Sequence, residues 1–173
     1  LEIFIYLLCC FWLRRFSRCS NMIAVFDLDG TVIDSSNRAL INEQGGINLE
    51  NWRTHTREQI LGDKPKPLIK YMRRCIANPN IRTWICTSRT LANADMELLT
   101  RLGISNADLI LSRSEKDVRN DVPFKVAKIR GKLNLPNVKS RSRVFFDDRA
   151  DIREAMRNLG FVCPEPHHWK WYL

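Results

Sequence analysis

Two aspartates stand two positions apart in Asp27-Leu28-Asp29-Gly30-Thr31-Val32, directly after the apolar run Met22 to Phe26. Residues i and i+2 of an extended chain point to the same side. Both carboxylates are therefore expected to aim into one place at the tip of a strand. Like charges that close raise at least one pKa unless a cation intervenes. With Mg²⁺ there, Asp27 stays ionised as a nucleophile and Asp29 is free to carry a proton. Gly30 permits a tight turn, and the backbone N–H groups after it, from Thr31 on, can face a phosphate. The plainer reading of the same residues is a strand-ending Asx turn without catalysis.

Three further stations share this setting, a polar group just after an apolar run. Asp147-Asp148 follows Arg143 to Phe146, and with the first pair would complete an oxygen-rich cage for a hard cation such as Mg²⁺. Alone it could simply cap the next helix. Thr87-Ser88-Arg89 follows Thr83 to Cys86; a hydroxyl can donate to a phosphate oxygen, and Arg89 can grip a phosphate with two parallel bonds. A turn with a solvated arginine is the alternative. Asp121 and Lys125 stand four apart and share one helical face, where Lys125 could neutralise a transferring phosphoryl group. Lys128 competes for that role.

These residues need a frame. Short apolar runs without alternation, at Met22–Phe26, Trp84–Cys86, Leu109–Leu111 and Val144–Phe146, read as strands buried on both faces, with Phe161–Cys163 a further candidate. Helical patterns lie between them: Leu68, Ile69, Met72, Cys75 and Ile76; then Leu91 to Leu102, ended by Gly103; then Phe124 to Leu133; then Ile152 to Leu159, ended by Gly160. The β-α-β-α alternation predicts an α/β, doubly wound parallel sheet, with ligands at the carboxyl ends of its strands. The interval after the first strand is too long for a simple crossover. It reads as a small helical insert, about 35–64, lying over the site.

The four stations, in this order, resemble the haloacid dehalogenase superfamily of phosphotransferases, whose signature is the Asp27-x-Asp29-Gly30-Thr31-Val32 pattern. The resemblance implies that Asp27 is phosphorylated, that Asp29 is the general acid and base, and that Thr87 and Lys125 contact phosphate. It further implies that Asp147 and Asp148 hold Mg²⁺ together with Asp27 and the backbone carbonyl at Asp29. One branch is closer in its motifs. Thr87-Ser88-Arg89, Asp121 before Lys125, and Phe146-Asp147-Asp148-Arg149 are similar to the 3′-phosphatase domain of bacteriophage polynucleotide kinase/phosphatase. That likeness adds Gly30, Thr31, Ser88, Arg89, Asp121 and Arg149 as substrate-binding residues. The branch has Ser-Gly-Arg where this chain has Thr87-Ser88-Arg89, and no kinase P-loop occurs here. Small phosphatase-only phage relatives fit the length.

The implied activity is a Mg²⁺-dependent phosphomonoesterase, first of all a polynucleotide 3′-phosphatase acting on DNA or RNA 3′ ends. The alternatives are a nucleotide phosphatase and a non-catalytic nucleic-acid-binding protein on the same fold.

Charge and composition bound the rest. The chain has 173 residues, 45% hydrophobic and 27% charged, which is ordinary for one globular domain and excludes disorder. Its net charge of +9 favours anionic partners. From Val122 to Phe146 the basic residues Lys125, Lys128, Arg130, Lys132, Lys139, Arg141 and Arg143 occur without an acid, a flank that could track a phosphodiester backbone. The tail from His167 to Tyr172 mixes aromatic and basic groups that could stack on bases or pack on the core. The six cysteines form no C-x-x-C pair and suit a reducing cytoplasm, the host's if the chain is phage-encoded.

Residues 1–21 open on the apolar run 1–13, followed by Arg14, Arg15 and Arg18. The run is short of the about 20 residues a membrane span needs. The segment reads as an extension upstream of a start at Met22, a short membrane anchor being the rival reading. The expected organisation is this extension, one phosphatase domain over 22–166 and a tail over 167–173, with no membrane association and no obligate protein partner.

Overall fold

The computed structural model describes residues 21–38, 55–136 and 138–167. Strand β1 (Met22–Phe26) is followed by β2 (Ile33–Asp34), a 3-10 turn over Ser36–Arg38, helix α1 (Arg57–Leu61), β3 (Lys64–Pro65) and helix α2 (Ile69–Ala77). Strands and helices then alternate: β4 (Ile81–Cys86), α3 (Asn93–Arg101), β5 (Leu109–Leu111), α4 (Asp121–Leu133), β6 (Ser142–Phe146) and α5 (Ala150–Arg157). Four strands form a parallel sheet in the order β5-β4-β1-β6. Its α/β architecture is the expected one.

β1 is buried along its whole length, and its side chains alternate between two cores. Met22, Ala24 and Phe26 face Met72 of α2 and Leu98 and Leu99 of α3. Ile23 and Val25 face Ile129 of α4 and Ile152 and Met156 of α5. A strand with helices on both sides can carry no polar residue, which is why these runs lack alternation. Phe26 stacks on Phe146 at 4.8 Å, and Tyr71 meets Phe146 edge-on at 5.7 Å. This aromatic group lies directly beneath the strand tips.

Several element ends differ from the apolar runs that announced them. β4 begins at Ile81 and β6 at Ser142, because hydrogen bonding carries the ladder into polar residues that apolar counting misses. Helix α4 begins at Asp121, three residues before its first core side chain. An aspartate and Pro123 suit a first helical turn, where N–H groups lack partners. Phe161–Cys163 yields a single bridge, Val144 to Val162, rather than a strand. Gly160 follows α5 with φ of 82°, the left-handed conformation expected after a helix.

The pairing of β2 with β3 is antiparallel, Ile33 opposite Pro65 and Asp34 opposite Lys64, and it was not legible in the sequence. It closes the long interval after β1 at its neck. Residues 39–54, on which most of the expected insert falls, lie outside the described residues, as do 1–20 and 168–173. Among the described residues no helix is long and apolar enough to cross a membrane, and Cys75, Cys86 and Cys163 are buried free thiols.

Met72 is fully buried between α2 and the sheet. Met72→Ala is expected to cost about 2–5 kcal/mol through lost burial and the cavity left behind. Urea unfolding of the variant beside the parent chain checks this.

Candidate active site

β1 and β6 are neighbours in register, with Phe26 level with Phe146. The residues that follow them, Asp27 and Asp147, therefore emerge side by side. The Asp27 N–H continues the ladder by donating to the Phe146 carbonyl at 2.9 Å. Between the two carboxylates lies the Lys125 ammonium, 2.8 Å from Asp27 Oδ1 and 2.7 Å from Asp147 Oδ2. Asp148 joins them: one oxygen from each of Asp27, Asp147 and Asp148 lies within 4.8 Å of the others.

Burial pushes the Asp27 carboxyl well above the usual carboxylate range; Lys125 pulls it back and Asp147 adds to the rise. Asp147 is raised for the same first reason, against the pull of Lys125. Burial disfavours the Lys125 charge, but Asp27 and Asp147 outweigh it and hold the ammonium protonated. Two carboxylates thus share one cation, and Asp148 adds a third negative group beside them. An oxygen-only donor set with surplus negative charge fits a hard divalent ion, so Asp27, Asp147 and Asp148 are suited to hold Mg²⁺. Lys128 sits 5.6 Å from the Phe124 ring instead, apart from the position Lys125 takes between Asp27 and Asp147.

The turn after β1 is built around one carbonyl. Leu28 accepts from the N–H groups of Thr31, Val32 and Ile33 at 3.2, 3.0 and 2.9 Å, and the Gly30 N–H donates to Ile33 at 2.9 Å. This corrects the expectation that the N–H groups after Gly30 face a phosphate, since those of Thr31, Val32 and Ile33 are taken up within the turn. Gly30 is required for other reasons. Its φ is 73°, and a Cβ there would collide with the Asp148 carboxylate. The Thr31 hydroxyl accepts from the Asp148 N–H at 3.0 Å and so ties the first motif to the acidic pair.

Asp29 is held apart from Asp27. Arg89 grips it with Nε at 3.1 Å and with a second, very short bond from one terminal nitrogen, and Ser35 donates to it at 2.7 Å. Burial works to raise the Asp29 pKa, but Arg89 and then Ser35 outweigh it and lower it. The same guanidinium reaches Asp95 at 2.8 Å and Asp63 at 2.9 Å, and Arg38 closes on Asp63 with bonds of 2.8 and 2.9 Å. Arg89 is buried, with its donors turned to three carboxylates. Its expected grip on a phosphate is replaced by a grip on Asp29. Ser35, Arg38, Asp63 and Asp95 had not been singled out. Each is a lone polar residue in an unremarkable stretch, and only the fold brings them together.

The Thr87 hydroxyl is buried one residue past β4 and accepts from the Arg89 N–H at 3.1 Å. Ser88 Oγ is buried and has no hydrogen-bond partner. Asp121 accepts from Arg113 at 2.7 Å and from Arg149 at 2.6 Å, so it presents no bare carboxylate to a substrate but anchors two arginines. Arg113 was also missed. It lies 4.4 Å above the Phe124 ring and donates to the Ser88 carbonyl at 3.0 Å. Beside the turn runs a cleft of about 220 Å³ bounded by Gly30, Thr31, Lys66, Leu68, Asp148 and His167. Lys66 bonds the Gly30 carbonyl across it.

The basic stretch does not form one track. Lys125 is buried in the site, whereas Lys139, Arg141 and Arg143 surround the start of β6, at the opposite end of the sheet. Sequence proximity misled here because β6 itself separates the two groups.

This sheet, with its acidic strand tips, is the fold of the haloacid dehalogenase-like phosphatases. A haloacid dehalogenase-like hydrolase from Streptococcus pneumoniae superposes with a TM-score of 0.58 at 16% identity, over 83% of both chains. A putative phosphatase from Clostridium difficile gives 0.57 at 19%, over 83% of this chain and 84% of that one. A chain of the Pnkp1/Rnl/Hen1 RNA repair complex gives 0.58 at 19%, over 84% and 42%. Residues 16–128 match the model of a narrower family, the bacteriophage T5 5′-deoxynucleotidases, and the chain belongs to that family. The 5′-deoxynucleotidase of Escherichia phage T5 is 30% identical over 95 residues, which make up 53% of this chain and 38% of that relative. The family match takes in Asp27 to Lys125 and ends before Asp147 and Asp148.

Replacing Arg89 by Met leaves Asp29, Asp63 and Asp95 without their shared cation. Breaking a buried pair in this way is expected to cost about 3–5 kcal/mol, and Arg89→Lys is expected to recover only part of it. Urea unfolding at neutral pH measures both; an Arg89→Met variant as stable as the parent would refute the role given to this network.

Proposed function

We propose that the chain is a Mg²⁺-dependent phosphomonoesterase acting on nucleoside 5′-monophosphates, deoxynucleotides foremost. The observation that carries this is Asp27. It is a buried carboxylate at a strand tip, paired to Lys125 and set beside Asp147 and Asp148, in a chain of the T5 5′-deoxynucleotidase family.

Asp27 attacks phosphorus in line, and the bond from phosphorus to the ester oxygen breaks. Asp29 gives its proton to the departing oxygen. It then takes a proton from the water that attacks the aspartyl-phosphate, which restores Asp27 and frees inorganic phosphate. Lys125 offers positive charge to the phosphoryl oxygens, and the unpartnered Ser88 hydroxyl offers them a donor. Arg89 and Ser35 aim Asp29 and draw its pKa down, which favours the water-activating half of the cycle, whereas the first half needs Asp29 protonated against that pull. Asp27, Asp147 and Asp148 would hold Mg²⁺, which would supply the charge that lets an anionic ester approach an anionic nucleophile.

A polynucleotide 3′-phosphatase is the second reading, favoured by the order of the motifs. The basic stretch lends it less than expected, because Lys139, Arg141 and Arg143 sit at the far end of β6. A reducing cytoplasm, the host's for a phage protein, agrees with the buried free thiols.

Phosphate release separates these readings. The panel is 5′- and 3′-deoxynucleoside monophosphates with 5′- and 3′-phosphorylated oligonucleotides, each with Mg²⁺ and with EDTA. Fastest release from the 5′-monophosphates, abolished by EDTA, is expected. Asp27→Asn should lower it at least about a thousandfold while leaving unfolding by urea little changed. Release confined to 3′-phosphorylated oligonucleotides would move the assignment to end repair. No release from any substrate would leave a binding protein on this fold.

A further inference from the structure

A second concavity, of about 370 Å³, lies at the start of β6, and its lining includes Lys139, Ser140, Arg141, Ser142, Arg143 and Gly160. Phe146, at the other end of β6, leads into Asp147. Along a strand that separation is roughly 13 Å, so the pocket is distinct from the site described above.

The chemistry of its lining is one-sided. Lys139, Arg141 and Arg143 bring three cations, and no carboxylate lines the pocket. Among the described residues the exposed Lys139 ammonium has no carboxylate partner. Arg143 donates only to neutral carbonyls, those of Lys139 at 3.1 Å and Leu159 at 3.5 Å. Carbonyls orient a guanidinium without cancelling its charge. Its Nε–H is buried and has no acceptor, an arrangement that leaves a desolvated donor unsatisfied. The Ser140 and Ser142 hydroxyls add further donors at the rim. Gly160 presents no side chain, and a Cβ there would stand 3.9 Å from an Arg143 terminal nitrogen. Close approach to the guanidinium is therefore open on that side.

A guanidinium fork, an ammonium and hydroxyls converging on a concave, carboxylate-free surface match a tetrahedral oxyanion. We propose that this pocket binds the phosphate group of a small free ligand, inorganic phosphate or a nucleotide phosphate, at a site separate from Asp27. The inference does not depend on which substrate is hydrolysed.

Isothermal titration of the full chain with inorganic phosphate, in Mg²⁺ and about 150 mM salt, tests it. Two binding events are expected. The double variant Lys139→Gln, Arg143→Gln should weaken one of them at least about tenfold and leave hydrolysis of p-nitrophenyl phosphate unchanged. Ser140→Asp, an exposed change that sets a carboxylate at the rim, should do the same and guards against misfolding of the double variant. One site lost in both variants would uphold the proposal and count against phosphate binding at Asp27. No phosphate binding in the parent chain, or binding that neither variant alters, would overturn it. So would binding to phosphatidylserine vesicles without any response to free phosphate, since that would make the patch a membrane contact.

Discussion

Two carboxylates share one buried ammonium at the tips of β1 and β6, and a third stands close by. Placing Asp27 and Asp147 so close is unfavourable by itself, because burial and neighbouring carboxylates both oppose their charge. Lys125 makes the arrangement tolerable, and much of the surrounding structure serves to bring it there. Helix α4 must begin at Asp121 and lie against the sheet for residue 125 to reach between the strand tips. The two strands must be adjacent and in register for their next residues to meet. The stacked rings of Phe26 and Phe146 support the tips from below. The remaining negative charge keeps the site attractive to a divalent cation.

A second charged network stands beside the first, joined to it by the backbone of Asp27-Leu28-Asp29 and by the Asp29 charge, which adds to the rise at Asp27. The expectation that these two aspartates act in one place is right about their position and incomplete about their company. Lys125 takes Asp27, and Arg89 takes Asp29. Leu28, fully buried between them, keeps the backbone fixed. Two chemically identical carboxylates are thus given opposite tendencies, one pushed up by burial and one drawn down by a guanidinium. A nucleophile works ionised and a general acid protonated, so this division runs against those two roles until a cation beside Asp27 offsets its rise.

The sheet was legible because a strand covered on both faces admits little but apolar residues. The strand-end stations were legible because polar residues follow those runs abruptly. Asp27, Lys125, Asp147 and Asp148 were accordingly found and are brought together. Arg89 was found, but its partners were not. Asp63 and Asp95 come from elements that nothing local connects to it, so the guanidinium looked available for a phosphate. The basic flank failed for the opposite reason. Its residues are neighbours in sequence, yet a strand carries Arg143 and Lys125 to different ends of the sheet. The antiparallel pairing of β2 with β3 is too short for any periodicity to register.

That pairing has a consequence for how the chain can vary. Ile33 meets Pro65, Arg38 grips Asp63, and the His55 ring contacts both the Arg38 guanidinium, at 3.1 Å, and its carbonyl, at 2.9 Å. Residues 38 and 55 are therefore fastened at one point, and whatever the chain does between them begins and ends there. For a loop whose ends are already joined, doubling its length adds only about 0.6 kcal/mol of closure entropy. Residues inserted between those positions therefore add little closure entropy while the joint from Arg38 to Asp63 and His55 holds.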